Sequence, residues 1–415
     1  MTPSLLRPFC LLLTLGTASA SSGTDFARQV LDTPEVQLAR TLGLNSLTPN
    51  GTALTGTRTG VAAQATAPLT LQRVQQQLKT TGFPNTASLQ SLNVITVPYT
   101  AQQIATYAGR AVDLLDDQRW TYTIHADFQR AQVVVNLDKT HHAALRALLG
   151  DRIPEAALRL GQAPQLRPVS GDGSATTSQY IQDRNRPYGA GARIISGSLE
   201  CSAGWFGRTP QGEIMLVTAA HCVDPRKTTQ FFQTQDFIGT TSTTHRRGID
   251  AIAIRLNNLN YNPNVLYADD WNGHILKRLP QNGPANSFTG AQKITLAGAT
   301  SYRREWQWFS HFNRIAVQRQ VVETPSGFTV DATEYCIVAS YAQAGSPNQV
   351  NRQPQGGDSG GILLNERNEV LGHISVVGTF DPSLPTSAWE KAYCFVPWTD
   401  TQQQTGLFPL NSPGN

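Results

Sequence analysis

Gly357-Asp358-Ser359-Gly360-Gly361 is the stretch on which the reading of this chain turns. Glycines on both sides of the Asp-Ser pair suit a backbone bent too tightly for side chains. Alone, the pentapeptide reads equally well as an ordinary turn. Two stretches upstream change its weight. Leu216-Val217-Thr218-Ala219-Ala220-His221-Cys222 runs an apolar segment into a histidine followed at once by a cysteine. Ile249-Asp250-Ala251-Ile252-Ala253-Ile254 sets an aspartate at the mouth of an alternating apolar run, which Asp224, Asp236, Asp269 and Asp270 all lack. Each stretch also has a plain structural reading: a histidine beside a disulfide, a turn residue opening a strand. Together they supply a hydroxyl, a base and an acid, and a serine hydroxyl is a poor nucleophile without an adjacent base.

The surroundings of these three stretches favour β structure. Ile194-Ile195, Ile214 to Val217, Ile249 to Ile254, Ile315 to Val322 and Val370 to Ile374 are short apolar runs separated by Gly, Pro, Asn and Thr. That spacing predicts an all-β sandwich or barrel from Arg193 onward. Residues 166–192, rich in Pro, Gly, Ser and Thr, read as an exposed linker open to proteolysis. Before it, residues 21–165 read as a smaller α+β unit. Phe26, Val30, Leu38 and Leu42 suggest a helix interrupted near Pro34, and Leu71, Val74 and Leu78 share another helical face. Leu47 to Ala67 reads as a Thr/Gly-rich linker. Thr100 with Gln103 makes a capping box before Ile104 and Tyr107. Trp120 to Leu137 reads as a hairpin, Thr140 as the cap of a helix carrying Leu145, Leu148 and Leu149, and Pro154 as the first turn of another.

At the N-terminus, Arg7, the apolar core Phe9 to Leu15 and the small-residue end Ala18-Ser19-Ala20 have the order of a secretory signal peptide over residues 1–20. An extracellular or periplasmic location is therefore expected, with no membrane anchor, since no later segment reaches the roughly 18 apolar residues of a span. Removing the signal removes Cys10 and leaves Cys201, Cys222, Cys336 and Cys394, an even number in an exported chain, which reads as two disulfides with three possible connectivities. The 415 residues are 40% hydrophobic and only 15% charged, which excludes wholesale disorder. Lys+Arg 33 against Asp+Glu 29 gives a formal charge of +4, too weak for a nucleic-acid partner. No cluster of metal ligands stands out, so no metal and no cofactor is expected.

With these motifs in the order His, Asp, Ser, the chain from about Arg193 to Trp398 resembles serine peptidases of the chymotrypsin fold, nearest the bacterial secreted branch of streptogrisins and α-lytic protease. The resemblance implies a trypsin-like catalytic domain, residues 193–415, of two six-stranded antiparallel β-barrels. It implies Ser359 as nucleophile, His221 as general base and then acid, and Asp250 as the group that orients the imidazole. Gly357 and Ser359 supply the oxyanion amides. It implies a Cys201–Cys222 bridge, with Cys336 and Cys394 bracketing Ser359 and tying the pocket loops. The function implied is a secreted serine endopeptidase acting on proteins or peptides as a monomer. The alternative is a catalytically inactive binding or adhesion protein on the same fold.

Ser375, Val376 and Val377 correspond to the strand that pairs with substrate backbone, and Gln353 to a lining residue of the first pocket. No acid at Gln353, and Val377 where glycine is common, favour small or medium apolar side chains over Lys or Arg. His373 corresponds to a strand where glutamate-specific relatives carry a substrate-binding histidine, but it lies two residues before Ser375, and a one-residue shift turns a strand side chain to the other face. Cys336 lies 23 residues before Ser359, so 340–355 reads as an insertion. Arg193-Ile194-Ile195-Ser196-Gly197 superficially matches a zymogen cleavage site, yet Ile194 is seven residues from Cys201 and 27 from His221, which puts it on the first strand and out of reach of Asp358. Asp358 then needs another partner, for which Arg303 and Arg304 are candidates. Relatives of this kind are made with an N-terminal pro-region, and residues 21–165 are expected to be one, released by a cut between about 165 and 193; a permanently attached accessory domain is the alternative.

Overall fold

The computed structural model describes residues 22–32, 34–50, 53–60, 69–80, 89–115, 118, 120–163, 165–168, 187–223, 229–242, 249–257, 261–269, 275–278, 281–285, 293–300, 302–308, 313–319, 332–342, 356–365, 367–379 and 392–410. The expected signal peptide with Cys10, Gln353 and most of the expected insertion lie outside them.

The N-terminal half runs α1 (Ser22–Leu31), α2 (Pro34–Thr41), β1 (Ser46–Asn50), β2 (Ala53–Thr59), α3 (Leu71–Thr80), β3 (Ser91–Val97), α4 (Ala101–Leu115), β4 (Tyr122–Asp127), β5 (Gln132–Leu137), α5 (His142–Leu149), β6 (Leu158–Gly161) and β7 (Gln165–Pro168). Phe26 and Val30 of α1 and Ile104, Ala108 and Val112 of α4 pack on Tyr122, Ile124, Val133 and Val135 of the β4–β5 hairpin. Full burial of each large apolar side chain contributes about 1.5–3 kcal/mol. The capping box forms as expected: Gln103 N–H donates to Thr100 Oγ1 at 3.1 Å and Thr100 N–H to Gln103 Oε1 at 2.9 Å.

Three local expectations are corrected. The stretch read as a linker from Leu47 to Ala67 contains β1 and β2, which with β3 make a small sheet. Its sequence gives little warning, because Leu54 is the one apolar side chain of β2 buried in the small core with Leu38, Val74 and Leu78. The turn before α5 is capped by Asp138, which accepts from Thr140 N–H, rather than by Thr140. Pro154 caps a single short turn, Glu155–Ala157.

The remaining chain is almost wholly strand. β8 (Tyr188–Ala190), β9 (Arg193–Ser196), β10 (Leu199–Ser202), β11 (Phe206–Arg208), β12 (Ile214–Thr218), β13 (Gln230–Gln233), β14 (Asp236–Thr241), β15 (Ile252–Leu256), β16 (Tyr261–Asp269) and β17 (Ile275–Arg278) come first. β18 (Lys293–Gly298), β19 (Tyr302–Trp308), β20 (Asn313–Arg319), β21 (Ala332–Ala342), β22 (Ile362–Asn365), β23 (Val370–Thr379) and β24 (Ala392–Pro397) follow, then α6 (Trp398–Thr405) and β25 (Phe408–Pro409).

Two sheets dominate. The first is eight-stranded in the order β10-β9-β13-β14-β15-β12-β11-β25. Tyr188, Ile194, Phe206, Leu216, Phe231, Ile238, Ile252 and Ile254 fill its core. Tyr188 to Ala190 belong to the expected linker, so the folded body starts a few residues earlier than Arg193. The second sheet runs β19-β18-β22-β23-β24-β21, and a further β19–β21 pairing returns the path to its first strand. Trp205, Met215, Val217 and Ala253 of the first sheet meet Ala297, Ile362, Leu364 and Val370 of the second.

Two connections join the halves of the chain. β20 pairs with β4, so the second sheet continues through β4, β5 and β6. β7 pairs antiparallel with β23, Pro168 opposite Val376 and Gln165 opposite Thr379. No helix among the described residues is long and apolar enough to cross a membrane.

Candidate active site

The three expected catalytic residues meet where the two sheets join. β12 ends at Thr218, and a short helical turn, Ala220–Cys222, carries His221. A Cys201–Cys222 disulfide ties that turn to β10 across a sequence separation of 21; closing a loop of that length contributes about 3 kcal/mol in the chain-entropy view. Asp250 sits just before β15, the strand paired with β12. Ser359 stands in the turn before β22, on the second sheet.

Asp250 is fully buried and its carboxylate accepts hydrogen bonds from both His221 and Ser375. Oδ1 takes the His221 main-chain N–H at 2.9 Å, and Oδ2 lies 2.6 Å from His221 Nδ1. Oδ2 also accepts the Ser375 hydroxyl. An ionised carboxylate only accepts, so Nδ1 carries the imidazole proton and Nε2 presents its lone pair. That lone pair faces Ser359 Oγ at 2.6 Å. The arrangement can take a proton from the hydroxyl as it attacks an electrophilic carbon and return it to a leaving group.

The serine turn depends on glycine at two positions. Gly357 has φ +100° and Gly360 φ +82°, both left-handed. A Cβ at Gly357 would stand 2.2 Å from Thr300 Oγ1, and one at Gly360 would stand 2.0 Å from Thr218 Oγ1. Around them the turn is fixed by main-chain bonds: Gly360 N–H to Ile374 carbonyl at 2.8 Å, Ile374 N–H to Gly361 carbonyl at 2.9 Å and Gly361 N–H to Asp358 carbonyl at 2.8 Å. The amides of Gly357 and Ser359 donate to no group among the described residues, which leaves both able to receive an oxyanion.

Ser202 is a residue that the sequence did not single out. Its N–H donates to Ser359 carbonyl at 2.8 Å, and its Oγ donates to Gly357 carbonyl at 2.7 Å while accepting Ala299 N–H at 2.7 Å. Thr218 Oγ1 donates to the Ser202 carbonyl at 2.9 Å. One buried serine on β10 thus ties the nucleophile turn to both sheets. Its only signal in the sequence is its place after Cys201.

Asp358, also fully buried, accepts Thr300 N–H at 2.9 Å. Arg303 and Arg304 stand on β19 opposite Ala297 and Leu296. Ile194 lies inside the first sheet opposite Cys201, and Arg193 pairs with Glu200, in keeping with the place on the first strand expected from the spacing. Cys394 is disulfide-bonded, and Cys336 lies on the neighbouring strand two residues before Val338, the register partner of Cys394. Cys201, His221 and Cys222 bring three metal-ligand atoms within 4.8 Å of one another, but both sulfurs are spent on the disulfide.

Of the expected substrate strand, Ser375 occupies a bulge in the β23–β24 ladder, between Ile374 and Val376. Bulges re-aim side chains, and here the Ser375 hydroxyl reaches Asp250. Val376 and Val377 pair with Pro168 and Arg167 of β7. His373 is fully buried, with Nε2 at 2.8 Å from the Asp250 carbonyl. It is therefore not placed to receive a substrate carboxylate.

Burial pushes the His373 pKa below its ordinary 6.5, against the milder pull of Asp250. The unfolded chain takes up a proton at this residue below about 6.5 while the folded one resists it, so this contribution to stability is whole above 6.5 and is lost as the pH falls. Melting temperatures of wild type and His373→Gln between about pH 7.5 and 5 check this. The wild type is expected to lose more on acidification, and parallel curves contradict it.

No family model matches the sequence, and no curated protein matches it. Solved structures do. The chain is similar to a glutamic-acid-specific serine protease, 20% identical, over 54% of this chain and 100% of that one, with a TM-score of 0.36. It is similar to Thermobifida fusca Protease A, 19% identical over 54% and 100% with a TM-score of 0.37, and to Cellulomonas bogoriensis chymotrypsin, 18% identical over 54% and 100% with a TM-score of 0.35.

Proposed function

We propose that the chain is a secreted serine endopeptidase that cleaves peptide bonds through an acyl-enzyme, with two six-stranded barrels as its catalytic domain. The observation that carries this is the unbroken chain of short contacts from Ser359 Oγ through His221 to Asp250, held at both ends by buried main chain. Ser359 attacks the substrate carbonyl as His221 Nε2 takes its proton, and the scissile carbon becomes tetrahedral. Its oxygen becomes an oxyanion between the amides of Gly357 and Ser359. Collapse expels the amine, protonated by His221, and leaves the acyl-enzyme. Water, activated by the same imidazole, then releases the acid. Asp250 stays ionised throughout and stabilises the imidazolium.

The N-terminal half, residues 21–165 together with the rest of β7 as far as Pro168, acts in this reading as a pro-region that engages the enzyme at two places. β4 extends the second sheet, and β7 lies along Val376 to Thr379, the strand proposed to bind substrate backbone. Strand addition of this kind draws its affinity from main-chain bonds, which any extended segment can supply. While β7 is in place, a substrate cannot pair with β23. The antiparallel register leads the chain past Pro168 toward the end of β23 where Ser375 stands, so the expected self-cut lies just past Pro168. N-terminal mapping of the purified active protein tests this. A new terminus between residues 169 and 187 is expected; fully active material still beginning near Ser21 contradicts the pro-region. Digestion of a peptide library by the processed protein tests the peptidase itself. Cleavage within peptide chains is expected, and an intact library contradicts it.

A further inference from the structure

Asp250 lies in a stretch that the sheet does not hold. The ladder between β12 and β15 begins at the pair Thr218 and Ile252. The local turn uses the Ala251 amide, donated to Ile249 carbonyl at 2.9 Å, but leaves the carbonyls of Asp250 and Ala251 outside any strand pairing. Two side chains from distant elements take them. His373 on β23 reaches the Asp250 carbonyl at 2.8 Å, and Gln404 on α6 donates from Nε2 to the Ala251 carbonyl at 3.0 Å.

Both side chains do this at a cost. A carbonyl only accepts, so His373 must carry its proton on Nε2, and the neutral ring then has a bare acceptor at Nδ1. That atom is buried without a hydrogen-bond partner among the described residues, as is Gln404 Oε1. A leucine at either place would leave no such orphan. Unsatisfied buried atoms in a folded protein call for an explanation, and here each comes with a bond to adjacent carbonyls at the catalytic acid. β23 therefore meets Asp250 twice, through Ser375 at the carboxylate and through His373 at the main chain.

We propose that His373 and Gln404 form a clamp on the Asp250–Ala251 main chain, and that His373 is a positioning residue for the acid of the triad. The clamp rests on the peptidase reading above. Holding the carbonyl fixes the peptide from which the carboxylate springs, and so keeps Oδ1 on the His221 amide and Oδ2 on Nδ1. It also ties the acid, on the first sheet, to the strand of the second sheet that β7 lies along. The acid and the peptide-binding edge then move as one body.

The test uses the processed protein and compares His373→Leu, His373→Gln and His373→Asn. The readouts are kcat and KM on a cleaved peptide and the rate of Ser359 labelling by a fluorophosphonate. Small displacements of a catalytic group cost up to about 100-fold. His373→Leu is expected to lose about 10- to 100-fold in kcat and in labelling rate with KM little changed. His373→Gln, whose amide nitrogen can stand where Nε2 stood, is expected to recover most of that loss, and the shorter His373→Asn to recover little. Gln404→Leu is expected to lose kcat in the same sense by a smaller factor. A folded His373→Leu with wild-type kcat and labelling rate overturns the clamp. If His373→Leu does not fold, equal rates for His373→Gln and His373→Asn overturn it. A wild type that never labels at Ser359 refutes the peptidase reading and the clamp with it, whereas a wild type that labels no faster than His373→Leu refutes the clamp alone.

Discussion

Ser359→Ala is expected to lower peptide hydrolysis by about 10⁶-fold and to leave the chain uncut. Every step of the proposed chemistry passes through Ser359 Oγ, which lies 2.6 Å from a base, His221 Nε2. Alanine removes the oxygen and adds nothing to the buried turn, whose glycines and main-chain bonds do not involve the hydroxyl. The variant should therefore fold. The amides of Gly357 and Ser359 and the β23 edge remain, so what activity survives comes from oxyanion stabilisation and binding alone. Intact mass shows whether the N-terminal half stays attached, and steady-state rates on a peptide cleaved by the wild type show the loss. A Ser359→Ala protein that processes itself and cuts peptides within 10-fold of wild type would mean that the nucleophile is elsewhere.

Asp250→Asn is expected to cost about 10⁴-fold in kcat with little change in fold or in KM. The reason lies in the donors that converge on the carboxylate. His221 N–H faces Oδ1, while His221 Nδ1 and the Ser375 hydroxyl face Oδ2. An asparagine must turn its NH2 toward one of these positions, and each is already occupied by a donor. At Oδ2 the imidazole can relieve the conflict by moving its proton from Nδ1 to Nε2. It then offers an N–H to Ser359 in place of a lone pair, and the base is gone. Raising the pH does not restore it, because the wrong tautomer is neutral. Rates measured from about pH 6 to 9 check this. A loss below 10-fold at all pH values contradicts the assigned role of Asp250.

Much of the site was legible from residue order alone. His221, Asp250 and Ser359 come together across 138 residues of sequence because each motif pairs a reactive side chain with the element that carries it: a strand end, a strand mouth and a glycine-bracketed turn. The positive φ values of Gly357 and Gly360 follow from the same pentapeptide. The Cys201–Cys222 bridge follows from the resemblance and is present.

What the sequence concealed is of two kinds. Ser202, Thr218, His373 and Gln404 act through main-chain groups, and a side chain that satisfies a carbonyl or an amide leaves no pattern in its neighbours. The expected place of His373 off the substrate face did follow from strand alternation, but its contact with Asp250 did not. The second kind is long-range strand pairing. β7 lies in a stretch that composition marks as linker, and it is strand because β23 offers it an edge. β2 likewise owes its state to a distant partner, β3, with Ala53 opposite Ser91 and Thr59 opposite Val97. β-propensity is decided by context, so such segments are misread whenever the partner is far away in sequence.

The central claim is that Ser359 is an activated nucleophile, and covalent labelling tests it most directly. The processed protein is treated with a fluorophosphonate, digested, and the modified peptide identified by mass spectrometry. Stoichiometric modification of Ser359 is predicted for the wild type, with none in Ser359→Ala and slow labelling in Asp250→Asn, both variants being cut in the same linker by an added protease. A processed, folded wild type that takes up no label at Ser359 would contradict the account and leave a binding protein on a peptidase scaffold in its place.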